Sequence, residues 1–282
     1  MTDAGAVPAR LTDAGGVATR LTDGGAAPAR LTDAGAVPAR LIDRGTVLTL
    51  DAALDGCSAG VVVDGRVVAE LRHAGGRGSA AVLPALARQA LDQAGVSAVG
   101  LDLIAVTVGP GSFTGVRAAL ALALGIGLAA GVRVAGVTVG AALRAAAGAA
   151  ADAAAGAAAG AAAEAEGASP DRPVWVAIDS RRDRVFLDID GVVSSVALAA
   201  LPLPPGPVSV AGDAAAALVE RLRARGGDVR LAGPGLAGPR LAPAPGPLGI
   251  ARGAVLAGCA PVPLYVDPVE ARPSAALRPA PV

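Results

Sequence analysis

The sequence predicts an α/β chain in two halves, each built on a mixed sheet. Three observations predict it. Short apolar runs follow one another early in the chain, further runs then alternate with helical patterns, and an Ala/Gly-rich segment separates these from a second set of runs. Strands in succession and then alternating with helices are the mark of a mixed sheet packed against helices.

The first three strands are expected at Thr46 to Ala52, Ser58 to Val63 and Arg66 to Leu71. Asp64-Gly65 lies between the last two, and an Asp-Gly pair between apolar runs is a strong hairpin signal. Ser79 can cap a helix running to Ala94, with Leu83, Leu86, Ala87, Ala90 and Leu91 on one face and Arg88, Gln89, Asp92 and Gln93 on the other. Pro84 falls in its first turn, where it is tolerated. Leu103 to Val108 is a fully apolar strand, and Val132 to Val137 is another. Between them, Ala118 to Gly131 sets leucines against small residues at the strand period. Its Ala-rich composition with a single β-branched member favours helix. Wound as a helix, it puts Leu120, Leu124 and Leu128 on one face and Leu122 with Ile126 on another, so both sides must be covered. Val174 to Asp179 and Val185 to Ile189 open the second half.

Two segments are of low complexity. Residues 1–40 are a decamer written four times, from MTDAGAVPAR to LTDAGAVPAR, each copy with few sizeable apolar groups to offset the entropy of ordering. Residues 1–45 therefore read as a disordered tail without tertiary contacts. Ala145 to Ala168 is almost pure Ala and Gly, a frayed helix or a linker. The resulting division is a first lobe at 46–145, the Ala/Gly segment at 146–170 and a divergent second lobe with a C-terminal tail at 171–282.

Composition removes several functions. The chain of 282 residues balances 24 cations against 24 anions, which argues against a nucleic-acid binder working alone. Every cation is Arg, so a Walker-type phosphate loop and a Lys Schiff base are excluded. Aromatics make up only 1%, too few for a base-stacking platform. Cys57 and Cys259 stand far apart behind a start with no signal-peptide pattern, which points to a reduced, cytoplasmic setting. The uncharged stretch Ala118 to Val132 is shorter than the ~20 residues that span a bilayer, so no membrane helix is expected. The single imidazole, His73, leaves too few partners for a metal site. Gly56-Cys57-Ser58-Ala59-Gly60 matches G-x-S-x-G, but a strand follows where a nucleophile elbow needs a helix.

The most specific stretch is Gly109-Pro110-Gly111-Ser112-Phe113-Thr114-Gly115-Val116-Arg117, between an apolar strand and an apolar helix. Its glycines permit a tight turn, and Ser112 or Thr114 can satisfy the first free helix N–H groups. An anion site and a purely structural turn are equally compatible with it.

With Asp51 ending the first strand, Leu83-Pro84 in the first helix, and Ala177-Ile178-Asp179-Ser180-Arg181 opening the second half, this loop resembles the TsaB (YeaZ) family. The resemblance covers residues 46–145 well and 174–190 fairly. It implies a two-lobed actin/Hsp70/sugar-kinase-like (ribonuclease H-like) fold. It also implies a non-catalytic subunit that activates a TsaD-like enzyme, with a TsaE-like ATPase, in making threonylcarbamoyladenosine beside the tRNA anticodon. The family's TsaD-like enzymes carry an H-x-x-x-H metal pair, which a chain with His73 alone cannot supply. A nucleotide hydrolase or glycoprotease-like enzyme of the same superfold is the alternative. By the resemblance, Asp51 and Asp179 stand where related ATPases hold metal-linked carboxylates. The phosphate turns that should follow are replaced by Ala52-Ala53-Leu54-Asp55 and Ser180-Arg181-Arg182-Asp183, so no cofactor is expected in the isolated subunit. The implied partner surface, for TsaD or for a second copy of the chain, lies on the two first-lobe helices, with Leu83, Leu86, Leu120, Leu122, Leu124 and Ile126. Ala119, Ala123 and Gly127 would let a partner helix approach, unless both faces are buried inside the lobe. Contact with tRNA is expected only through the complex. The sequence departs from the family at Gly78-Ser79-Ala80, where a His and a polar partner are usual, and at Asp267, which replaces an Arg in a Pro-x-Tyr-x-Arg pattern.

Overall fold

The computed structural model describes residues 36–75, 78–157, 172–180, 183–232 and 244–266. The first sheet contains β1 (Thr46–Asp51), β2 (Cys57–Val63), β3 (Arg66–His73), β4 (Leu103–Gly109) and β5 (Val134–Thr138) in the order β3-β2-β1-β4-β5. β1, β2 and β3 pair antiparallel, whereas β4 and β5 continue parallel to β1. The second sheet contains β6 (Val174–Asp179), β7 (Arg184–Ile189), β8 (Val192–Ala197), β9 (Val208–Ala211) and β10 (Val229–Leu231). Its order, β8-β7-β6-β9-β10, repeats the first sheet strand for strand, with the same senses of pairing. The chain is a two-lobed α/β protein made of one topology used twice.

Among the described residues six helices serve these sheets: α1 (Arg40–Asp43), α2 (Ser79–Ala94), α3 (Phe113–Ala130), α4 (Val139–Ala157), α5 (Ala215–Ala224) and α6 (Pro247–Ala257). Parallel neighbours need crossovers, supplied by α2 and α3 in the first lobe and α5 in the second. The counterpart of α2, between β8 and β9, is only a short 3₁₀ turn at Leu198–Ala200. The β2–β3 and β7–β8 hairpins turn on Asp-Gly with two positive φ angles, 48° and 75° at Asp64-Gly65 and 51° and 87° at Asp190-Gly191. Such primed turns match the twist of the strands they join.

In the first lobe, Leu48, Leu50, Ile104 and Val106 bury against Leu83 and Ala90 of α2 and Ala119 and Ala123 of α3. The opposite face of that sheet, with Val47, Val62, Leu103 and Ala105, buries against Ile250, Ala251 and Ala254 of α6. In the second lobe, Trp175, Leu187 and Val210 bury against Leu218 and Leu222 of α5.

Three expected boundaries move. The tail boundary at residue 45 falls too late, because Val37 is 7% exposed within the α6 core and α1 follows it. The first-lobe boundary at 145 cuts through α4, whose alanines continue the helix to Ala157; residues 158–171 lie outside the described residues. Finally, α6 belongs to the C-terminal half of the chain yet covers the first-lobe sheet, so 171–282 is not a self-contained second lobe. After α6 the chain adds to the first sheet once more, where the Leu264 N–H donates to the Val108 carbonyl at 2.8 Å.

Among the described residues, Val176, Ile178 and Ala211 of the second lobe pack into the first-lobe core, and an ion pair with a buried carboxylate also links the lobes. Arg144 of α4 forks onto both carboxylate oxygens of Asp188 in β7, at 2.8 and 3.1 Å, and the Gly191 N–H donates to the same carboxylate at 2.9 Å. Asp188 is 1% exposed.

Candidate functional site

The motif loop joins the end of β4 to the start of α3. Ser112 is the cap, its Oγ accepting the Gly115 N–H at 3.2 Å, and the helix begins at Phe113. Thr114 lies inside the helix. Two glycines of the motif are explained by close approach to the segment after β1. A Cβ on Gly111 would stand 1.9 Å from the Ala53 carbonyl oxygen, and one on Gly115 would stand 1.9 Å from that of Ala52. The Ser112 N–H donates to the same Ala53 carbonyl at 2.6 Å. These contacts support the structural-turn reading of the loop. The second lobe repeats the device, for Gly212 after β9 has φ +107° beside +105° at Gly109, and Ala214 N–H donates to the Ala177 carbonyl.

Three of the four aromatic side chains of this aromatic-poor protein meet at the loop. The Arg117 guanidinium lies 3.7 Å from the Phe113 ring centre, and its Nε donates to the Tyr265 hydroxyl at 2.8 Å. Phe186 of β7 completes the wall of a cavity of about 220 Å³ that Pro110, Gly111, Phe113, Leu264 and Tyr265 also line. Phe113 remains half-exposed, and guanidinium stacking on a partly exposed ring contributes about 0.5–1 kcal/mol. The C-terminal segment thus straps the start of α3. Asp267, beyond it, lies outside the described residues.

The two expected carboxylates end equivalent strands but differ in setting. Asp51 is buried, with its Oδ1 accepting from Thr107 Oγ1 at 2.5 Å and from the Ala53 N–H at 3.1 Å. Burial holds its carboxyl above the ordinary carboxylate range, against those hydrogen bonds and the positive field of Arg72. Asp179 is exposed, and its backbone N–H donates to Asp213 at 2.8 Å. Burial, together with the Asp179 charge, pushes Asp213 upward despite that hydrogen bond. Asp213 follows the Gly212 turn, and only the β4/β9 equivalence of the lobes reveals its position; no local pattern marks it. Ser58 is buried within β2, so no elbow presents it. Burial first, and then the Asp51 charge, raises the Cys57 thiol above its ordinary value; burial alone raises that of Cys259. His73 is the exposed last residue of β3 rather than part of a loop.

The helix face expected to meet a partner is corrected residue by residue. Leu83 and Leu86 point into the first-lobe core, as does Leu120, so none of the three is a surface group. Ala119, Ala123 and Gly127 are buried as well, and their small size brings α3 close to its own sheet rather than to a partner. Leu122, Leu124 and Ile126 are half-buried along the flanks. The outward surface of α3 is instead Ala121, Gly125, Leu128 and Ala129, without a charge C-terminal to Arg117. Among the described residues α3 is also the one helix long and apolar enough to cross a membrane, and here it is the β4–β5 crossover. The outward surface of the neighbouring α2 is polar, with Arg88 and Asp92 3.6 Å apart.

The repeated sheet and the paired turns at its strand ends define the class as actin/sugar-kinase-like. The chain matches the family described as TsaD: tRNA N6-adenosine threonylcarbamoyltransferase over residues 73–188. It is similar to a protein described as resembling peptidase YeaZ from Pseudomonas aeruginosa, at 25% identity and a TM-score of 0.56 over 79% of this chain and 100% of that one. YeaZ from Pseudomonas aeruginosa, also at 25% identity, has a TM-score of 0.53 over 78% and 99% of the two chains. No curated protein matches the chain. The chain is TsaB (YeaZ)-like, as its motif loop implies.

Proposed function

We propose that this chain is a non-catalytic subunit that activates a TsaD-like enzyme in the tRNA threonylcarbamoyl modification system, in the cytoplasm. The observation that carries the reading is a pairing of likeness and lack. The chain is similar to YeaZ over that protein's whole length and matches the TsaD family over 73–188, yet it has one histidine. A TsaE-like ATPase is the expected third component, and tRNA is met through the complex. The partner lies on the uncharged outward surface of α3, around Ala121, Gly125 and Leu128 and flanked by Leu122. Burying such a surface contributes about 25 cal/mol per Å², part of which association entropy consumes. No nucleotide is held by the subunit itself, a reading supported by Asp51, which is shut in by Thr107 and Ala53.

Reconstitution tests this. The chain mixed with its cognate TsaD-like and TsaE-like proteins, tRNA and threonylcarbamoyl donor should support modification, and the chain alone should not. Leu128→Arg should abolish co-purification with the TsaD-like protein while leaving the subunit folded. Modification of tRNA by the isolated chain, or peptide cleavage or ATP hydrolysis at enzymatic rates, would overturn the proposal.

A further inference from the structure

The N-terminal decamer repeat plays no part in the proposed function, yet the end of its last copy is seated on the first lobe. Val37 is 7% exposed and shares a core with Val47, Leu103, Val137, Ile250 and Ala254. Leu41 of α1 packs against the same cluster. Arg133 Nη1 donates to the Ala36 carbonyl at 3.3 Å, and the Leu41 N–H donates to the Pro38 carbonyl at 3.0 Å. Gly258, just after α6, borders the seat, since a Cβ there would stand 3.5 Å from Val37 Cγ2. Ala39 and Arg40 face outward. The seat thus holds Ala36-Val37-Pro38-Ala39-Arg40-Leu41 by two apolar anchors and one backbone carbonyl.

That hexapeptide is written twice in the chain. Ala6-Val7-Pro8-Ala9-Arg10-Leu11 repeats it without change, within stretches 2–11 and 32–41 that are identical throughout. The other two copies are poorer ligands. Gly16-Val17-Ala18-Thr19-Arg20-Leu21 keeps the valine but lacks the proline that presets the backbone, and Ala26-Ala27-Pro28-Ala29-Arg30-Leu31 lacks the methyl groups that fill the seat. A seat that fits the fourth copy fits the first by chemical identity, and only the length of the connection to β1 differs.

We propose that residues 6–11 are a second ligand for this seat in the same chain, taking it whenever residues 36–41 leave. Leu41 precedes Thr46 by five residues and Leu11 precedes it by thirty-five. Closure probability falls with the 3/2 power of loop length, so a connection about seven times longer disfavours the first copy by on the order of 20-fold. The fourth copy therefore holds the seat at rest, and the first is its spare. A second molecule competes poorly, because its hexapeptide arrives at bulk concentration while a tethered one has an effective concentration of about millimolar. The repeat so used keeps the α6 side of the first-lobe sheet covered when the nearest copy is displaced.

The test uses the full chain with Val37→Asp, which ejects the fourth copy by putting a carboxylate into an apolar seat. Initial rates of trypsin cleavage after Arg10, Arg20, Arg30 and Arg40, read by mass spectrometry, report which copy is docked, because cleavage tracks the undocked population. In the unaltered chain the bond after Arg40 should be the protected one. In Val37→Asp its cleavage should rise about tenfold and cleavage after Arg10 should fall severalfold. Adding Val7→Asp should return the Arg10 rate to its starting value, and Val7→Asp alone should leave the Arg40 rate unchanged. Val37→Ser, a milder change, should give the same exchange to a smaller degree and serves if Val37→Asp unfolds the lobe. An Arg10 rate unaffected by both Val37 variants overturns the proposal. So does protection that appears after Arg20 or Arg30 instead, or protection after Arg10 that grows with protein concentration, which would make the occupant a second copy of the chain.

Discussion

Arg144→Met isolates the energetics of the bridge between the lobes. The substitution keeps most of the side-chain length but removes two of the three donors to Asp188, leaving only the Gly191 N–H at 2.9 Å. The carboxylate is 1% exposed, so water cannot replace the lost donors without opening the interface between α4 and β7. Removing one partner of a buried pair costs about 3–5 kcal/mol, a large share of the roughly 5–15 kcal/mol that holds a typical domain. Urea unfolding followed by far-UV circular dichroism should show the midpoint falling in proportion. Removing the charge as well, in Arg144→Met/Asp188→Leu, should recover most of the loss, because two apolar groups of similar volume need no pairing. A single-variant loss below about 1 kcal/mol, the range of exposed pairs, would show that the bridge is solvated. A double variant as unstable as the sum of the singles would show that Asp188 is needed for its hydrogen bonds rather than penalised as an unpaired charge.

Three further outcomes are expected. Because burial raises the Asp51 carboxyl in the folded state, the protein binds that proton more tightly than the unfolded chain; its contribution is favourable at low pH and declines as pH rises from the unfolded value through the folded one. Asp51→Asn should remove that decline in urea midpoints measured from acid to neutral pH, and an unchanged pH profile would refute it. Gly115→Ala drives a Cβ into the Ala52 carbonyl, a clash with backbone that no rotamer relieves, and should cost about 1–3 kcal/mol or more in the same assay. Deleting residues 1–40 removes the buried Val37, so stability should fall by about 1.5–3 kcal/mol, where a tail without contacts would leave it unchanged.

The first lobe was legible because its signals are local. β1 and β4 are mostly apolar and β-branched runs, Asp64-Gly65 fixes the hairpin between β2 and β3, and Ser112 caps α3 three residues before Gly115. The second lobe carries weaker ones. β8 has two serines at its centre, β10 has three residues, and α6 is interrupted by Gly249 and Gly253, so none stands out as an amphipathic pattern. The Asp190-Gly191 pair between Ile189 and Val192 is the exception, the same hairpin signal as Asp64-Gly65. The outward face of α3 was not readable, since the helix is apolar all round and packing selects the small residues, not the leucines, to touch the sheet. The Arg144–Asp188 pair joins residues of different lobes, a relation that no spacing in the sequence announces.

The return of α6 to the first-lobe sheet sets the timing of folding during synthesis. Ile250, Ala251 and Ala254 seal the face of Val47, Val62, Leu103 and Ala105, but they are made about a hundred residues after α4 ends. At roughly 5–20 residues per second, a nascent first lobe waits on the order of 5–20 s with that face bare. For that interval the ribosome holds a half-finished sheet whose natural cover does not yet exist, which makes it a ready client for a chaperone that shields apolar surface. A chain ending before Pro247 would keep that exposure permanently.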